Sequence, residues 1–433
     1  MIPIIKNKKV LLQGGWTPIE KNIIVIDDNN MKYNPTYLRR AKGLVKNGRA
    51  RWVDDHTISL SCPRFIKEGI LMQSKTRILE NIMPTSNWMA YSFVDCYASL
   101  LMSRNKRINP KSAVSMKRRD KMYETSLVAS GLAFSCLYKN NDNYNNINFH
   151  LAVPDDKYIS YTMNFGNCNY HILNKNSNNE DEFRRQIVET IDHDIPALLE
   201  FSDSTWSIIT GYDNGGKKLF GYIGYSYSSN TQVDGYLENK MFFIENWFEQ
   251  LNRIIIVDNF DAEAYDYRKF VKYWIEVMEC NANEQYVYGY QALDSYINLL
   301  CDDGFYIHAN DETFNQLYRY IFTLSNLCET RCFIGLELCR TNEGYIRDHM
   351  RLAKDVSEEV KLQLDRIVKN GMKMHKLCWE FWESLSEKGI WQPDSTKYGE
   401  KLLNSENRKK AVKVLKKLKV CDQHILDGLH SIS

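Results

Sequence analysis

The sequence predicts an α+β protein with a small basic module ahead of it and a helical bundle behind. Three observations carry that reading. From Met83 to about Asp258 short apolar strands alternate with helical segments, the texture of an α+β domain. Inside that region residues 196 to 227 hold three strands: Ala197 to Phe201 is a short apolar run, Trp206 to Tyr212 alternates bulky and small side chains, and Lys218 to Tyr225 is rich in Tyr, Phe and Ile. Asp213-Asn214-Gly215-Gly216 joins the last two, and Asn and Gly tolerate the positive φ of a tight hairpin. Beyond Ala262 nearly everything reads as helix, with apolar residues at three-and-four spacing.

A chain of 433 residues is too long for one ordinary core, so two or three domains are expected. The changes of texture place them at 1–66, 83–260 and 261–433. Hydrophobic residues at 44% and charged residues at 25% are globular values. With 56 basic against 54 acidic residues the net charge is +2, which excludes a general nucleic-acid coat and leaves room for local patches. Eleven cysteines without a CxxC pair, and no secretory leader, point to free thiols in a reducing cytoplasm. No apolar run approaches the roughly 20 residues of a membrane span. Abundant Tyr and Asn suggest an AT-rich bacterial genome.

In chain order, Asn22 to Asp27 reads as a strand, and Tyr37 to Lys46 as a short basic helix entered through Asn34-Pro35-Thr36 and stopped at Asn47-Gly48. Ala50 to Val53 and His56 to Leu60 form a hairpin around Asp54-Asp55. Lys67 to Ile82 reads as a linker helix. Ser92 to Ser103, SFVDCYASLLMS, is a buried helix, since its apolar surface is nearly continuous. Ser130 to Phe134 starts a strand after a second helix. Glu182 to Thr190 is amphipathic and leads into the central strands, and Arg253 to Val257 is a final strand. The helices behind are Tyr267 to Met278, Tyr288 to Leu300, Asn315 to Cys339, Ser357 to Leu385 and the basic Asn407 to Leu418.

Asp95-Cys96, at the start of a buried helix, is the most suggestive pair for chemistry, because a helix N-terminus stabilises a thiolate. The bland reading of Cys96 is a small core residue. Cys328, Cys332 and Cys339 share a helix face, yet three thiols spread over roughly 16 Å of helix cannot close a tetrahedron. Cys421, His424 and His430 make no better site. No metal or cofactor is expected, for there is neither a P-loop nor a GxGxxG, and Gly211 to Gly216 lies in a hairpin.

The strings SFVDCYASLL, SGLAF, IDHDIPALLEF, WSIITGYDNGGKKLFGYIGYSY and GYLENKMFFIENWFE, in that order over residues 84 to 258, resemble the papain-like fold of bacteriocin-processing peptidases. They are similar, more closely, to the butirosin-biosynthesis acyltransferase family, protein H type, and its bacterial relatives, and GYQALDSYINLL with ETRCFIGLEL extends the likeness into the helices. The resemblance implies a papain-like domain with Cys96 at the nucleophile position. It also implies a departure: where the family has His before the core strand, this chain has Thr205, and the acidic partner falls near Tyr225 and Ser226. A threonine accepts no proton at neutral pH as imidazole does. His193, between Asp192 and Asp194, is the nearest substitute base in sequence, with His150 and His171 on neighbouring segments. NPTYLRRAKGLVKNGRARWV, in turn, resembles the proline-and-arginine module of transposon-encoded RNA-guided nucleases. That implies an RNA or phosphate contact within residues 31 to 51, through Arg39, Arg40 and Lys42.

Three expectations stay open. The first is a non-catalytic papain-like domain binding a small molecule or peptide beside Cys96 and Asp95, its cleft walled by Trp88, Tyr91, Trp206, Tyr212, Tyr222, Tyr225 and Tyr227. The second is a thiol acyltransferase or amide hydrolase using Cys96 with an unorthodox base. The third is an RNA-associated adaptor acting through the basic module. Oligomeric state is left open.

Overall fold

The computed structural model describes residues 22–26, 32–46, 50–60, 76–80, 82, 84, 91–104, 113–139, 156–176, 179–224, 231–260, 267–280, 286–313, 317, 324, 330–331, 357–385 and 401–433. The chain divides into two compact units, Met1–Gln73 and Ser74–Ser433.

In the first unit β1 (Ile23–Ile26), β2 (Lys32–Thr36), α1 (Leu38–Lys46), β3 (Ala50–Asp54) and β4 (Thr57–Leu60) form a four-stranded sheet in the order β2-β1-β4-β3, with one helix. Ile23, Val25 and Ile58 alternate with outward residues, and with Ala50 they meet Ala41 of α1 in a small core. Asn34-Pro35-Thr36 belongs to β2 rather than to a helix lead-in. Proline is tolerated there because β2 pairs on one side only, with β1.

The second unit is mixed α+β with a helical C-terminal region. Its elements are β5 (Arg77–Ile78), α2 (Ser92–Ser103), α3 (Ala113–Ala129), β6 (Leu137–Lys139), α4 (Lys157–Phe165), β7 (Asn169–Asn174), α5 (Glu180–Asp192), β8 (Ala197–Phe201), β9 (Trp206–Asp213), β10 (Lys218–Ile223), β11 (Gly235–Tyr236), β12 (Phe242–Ile244) and β13 (Leu251–Asn259). α6 (Tyr267–Met278), β14 (Tyr286–Tyr288), α7 (Gly289–Cys301), α8 (Asp303–Ile307), α9 (Glu358–Leu385) and α10 (Ser405–His430) follow. The central sheet has the order β11-β12-β10-β9-β8-β13-β7, with β5 paired antiparallel to the far end of β9. All its pairings are antiparallel.

Alternation along these strands splits the sheet into two faces. Leu198, Trp206, Ile208, Phe220, Tyr222, Ile255 and Val257 join α2 and α3 in a core that continues into α6, α7, α9 and α10. Ala197, Leu199, Ile209, Leu219, Ile254 and Ile256 pack on the other side with Phe183, Ile187 and Ile191 of α5. The hairpin between β9 and β10 turns through Asn214, Gly215 and Gly216, with φ of 49°, 65° and 88°.

Three local expectations need correction. Arg77–Ile78, at the end of the stretch read as a linker helix, is a strand completing the bulged end of β9. Ser130 to Phe134 closes α3 with a single 3-10 turn at Leu132–Phe134, and the strand begins only at Leu137. The helical tail is interrupted at Tyr286–Tyr288, which pairs with Leu137–Lys139. Most of Asn315 to Cys339, and Cys328, Cys332 and Cys339 with it, lies outside the described residues.

Candidate functional site

α2 lies against β9 and β10 because its sequence leaves no polar face to turn to water: 11 of its 12 residues are buried. Tyr91 precedes it without a side-chain cap, and the entry is fixed instead by Ser92, whose Oγ accepts from Trp206 N–H at 3.1 Å. The next side chain, the Phe93 ring, meets the Trp206 indole edge-on, centroids 5.0 Å apart. Cys96 is the fifth residue of the helix. Its sulfur sits a turn beyond the free N–H groups that would stabilise a thiolate.

Gly224 closes the space around that sulfur. Its N–H donates to Trp206 O at 2.8 Å, and a Cβ on it would come within 2.9 Å of Cys96 Sγ and closer still to Ser92 O. Cys96 is fully buried. Burial pushes its thiol well above the ordinary value, the neighbouring Asp95 charge adds to the rise, and the Gly224 N–H opposes it. Asp95 is itself buried and lies 3.6 Å from the Arg119 guanidinium, which also donates to Pro84 O at 2.9 Å and to Asp120 at 2.6 Å.

Thr205 is buried, and its N–H donates to Asp203 Oδ1 at 2.9 Å, while Asp203 Oδ2 accepts from Thr231. Trp206, not Thr205, carries the face toward α2. His193 lies at the other end of the sheet: it follows α5, is exposed, and its Nδ1 is 2.7 Å from Glu189 O. The adjoining Asp192 accepts from the Tyr212 hydroxyl at 2.8 Å. Tyr212 is six residues along β9 from Trp206, about 20 Å at strand rise. His171 is on the surface with Asp258, 3.2 Å away, and His424 and His430 face Asn370 and Glu279. Among the described residues no histidine hydrogen-bonds Cys96, and no group of three metal-ligating side chains occurs.

The four expected aromatic walls among the described residues do not line an open cleft. Tyr91, Trp206, Tyr212 and Tyr222 are all buried in packed core. Tyr212 also sits on the opposite face from Trp206. A register shift opposite Phe220 and Gly221 marks a bulge in β9 that reverses the alternation, so Tyr212 joins the α5 side. Trp88, Tyr225, Ser226, Tyr227 and His150 lie outside the described residues.

One cluster escaped sequence reasoning. Trp206, Glu200 and Arg253 stand in register across β9, β8 and β13. Arg253 Nε donates to Glu200 at 2.6 Å, its other nitrogens reach Asp156 at the start of α4, and its guanidinium lies 5.4 Å over the Trp206 ring. Burial raises the Glu200 carboxyl, with Arg253 opposing. It also raises the Tyr158 phenol, to which the Glu200 charge adds. The available signal was a lone Glu in the apolar run ALLEF and an Arg at the head of the apolar run RIIIV, since buried charges occur in pairs. The arrangement fastens α4 to the sheet.

Among the described residues no helix is long and apolar enough to cross a membrane. No protein-family model matches the chain, and no curated protein sequence matches it.

Proposed function

We propose that the chain is a non-catalytic protein of papain-like plan that acts by binding a small molecule or peptide, and that Cys96 serves its core and not its chemistry. The supporting observation is the environment of Cys96: fully buried, its sulfur against Gly224, its thiol held neutral. Nucleophilic thiol catalysis needs a thiolate, a base in reach and an opening for substrate. Tyr91, Trp206 and Tyr222 are themselves packed, so the ligand's place lies outside the seam between α2 and β9. The acyltransferase or hydrolase reading would need Cys96 to become both exposed and ionised.

The test is competitive alkylation. Iodoacetamide at pH 7 should modify the exposed Cys301 and leave Cys96 untouched until denaturant is added, as read by mass spectrometry after digestion. Modification of Cys96 ahead of Cys301, with an inflection below pH 7, would restore the enzyme reading. So would thioester hydrolysis that disappears in Cys96→Ala.

A further inference from the structure

α10 reads RKKAVKVLKKLK from Arg408 to Lys419, basic and without an acid. Ala411, Val414, Leu415, Leu418 and Cys421 are its buried side, so at 3.6 residues per turn Lys409, Lys413 and Lys416 point outward, with Lys410 and Lys417 on one flank. All five are exposed. That flank meets α9: Lys417 pairs with Glu380, His424 faces Asn370 and Gly428 abuts Ile367, so the two helices run antiparallel, side by side. α9 adds a row of its own, the exposed Lys369, Lys373 and Lys376. Among the described residues the ion-paired lysines of the two helices are Lys361, Lys409, Lys417 and Lys419; Lys369, Lys373, Lys376, Lys410, Lys413 and Lys416 pair with none. Of the acids beside them, Glu380 and Glu406 are taken by Lys417 and Lys409, and Asp365 and Glu383 stand beyond the two ends of the α9 row. Three apolar side chains break the surface among these lysines. Met372 and Trp379, 42% and 41% exposed, lie one turn before and after Lys376, and Val420, 52% exposed, lies one turn after Lys416.

We propose that the face shared by α9 and α10 is a peripheral docking surface for an anionic lipid bilayer, held by its lysines and anchored shallowly by Met372, Trp379 and Val420. Clusters of about four to eight cations on a helix adsorb to such a surface, each lysine adding to the attraction. The apolar side of α10 is already spent on the core, so attachment is by charge and exposed tips and not by insertion of the helix. A nucleic acid fits this face less well. A duplex major groove about 12 Å wide admits one helix and not a pair, and the six unpaired lysines lack the planar fork by which arginine grips phosphate. An indole exposed beside lysines suits the boundary between headgroups and acyl chains, where Trp is favoured. The proposal concerns the C-terminal helices and is independent of the role of Cys96.

The experiment is co-sedimentation of the full chain with vesicles of phosphatidylcholine alone and of phosphatidylcholine with phosphatidylserine, alongside its binding to polyglutamate and to duplex DNA. Retention is expected on the anionic vesicles only, and should vanish in molar salt, where the screening length falls to about 3 Å. Lys413→Gln should weaken it by about fivefold, and Lys413→Gln combined with Lys416→Gln by about 30-fold. Both variants should keep the unfolding midpoint of the parent, since neither side chain is exchanged inside a packed or paired site. Trp379→Ser should lower affinity for the anionic vesicles and leave binding to polyglutamate unchanged, because only a bilayer accepts the indole. Equal retention on neutral vesicles, no retention at low salt, or retention unaltered in the double lysine variant would each overturn the proposal. So would tighter binding to polyglutamate or DNA than to the anionic vesicles, which would make the face a protein or nucleic-acid contact instead.

Discussion

The two faces of the central sheet are covered by helices of opposite character. α2 is buried almost all round, and its polar groups find partners inside the protein: Ser92 with Trp206 and Asp95 with Arg119. α5 buries Phe183, Ile187, Thr190 and Ile191 and turns to water a side where Arg184 and Arg185 pair with Glu180, Asp181, Glu182 and Glu189. On the first face a polar group depends on its neighbour; on the second, water can replace it. The cost of a substitution should therefore follow the face and not the residue type.

The largest effect is expected where the core around α2 reaches the C-terminal helices. Arg331 is buried, pairs with Asp422 of α10 at 2.8 Å, and donates to the carbonyls of Ala133 and Ser135. Asp422→Ala leaves that guanidinium uncompensated and should cost about 3–5 kcal/mol in denaturant unfolding, whereas Arg331→Met with Asp422→Leu should recover most of it. A single-variant loss below about 1 kcal/mol would mean that this face is wetter than described.

Next is Gly224→Ala. The added methyl has no room between Ser92 and Cys96, and overpacking of this kind should cost about 1–3 kcal/mol. Stability unchanged by this variant would show that α2 can draw back from β10, and would reopen access to the thiol.

Cys96 gives a pH signature. Its folded-state thiol titrates well above the ordinary 9.0, so as pH rises the unfolded chain loses its proton first. The stability contributed by the neutral thiol is full below about pH 9 and is lost above it. Cys168, raised by burial to about 11, adds to the same alkaline loss. Cys96→Ala should flatten the fall of unfolding free energy above pH 9 without removing it, and an unaltered slope would contradict the buried, neutral thiol.

The smallest effect belongs to α5. Arg185→Ala removes exposed pairs with Glu182 and Glu189 and should cost about 0.5 kcal/mol or less, fading with salt. A loss as large as that of Asp422→Ala would break the contrast between the faces.

Where one strong local pattern decides an element, the sequence could be read to the residue. Ser92–Ser103, Ala197–Phe201 and Tyr267–Met278 are apolar runs or stripes that no neighbour could redirect. α4 and β7 went unread because KYISYTMNF and NYHILN are mixed in character and gain their state from packing on β13 and α3. At the site, the burial of α2 with Cys96 in it was legible, because Ser92–Ser103 is apolar almost throughout. The closing of the space around the sulfur was not, since it is done by Gly224, far along the chain. The side occupied by Tyr212 was hidden for a different reason: a bulge shifts every later side chain without changing composition.

The contact of Arg331 also bears on how the chain is made. Its carbonyl partner Ala133 lies 198 residues behind it and Asp422 lies 91 residues ahead. A ribosome adding about 5–20 residues per second takes roughly 5–18 s to cover that second interval. During synthesis the α2 core must therefore wait, half-closed and apolar, for a helix not yet translated. Chaperone engagement in that interval, seen as crosslinks to nascent chains stalled before Asp422 and lost from the released full chain, is the expected signature.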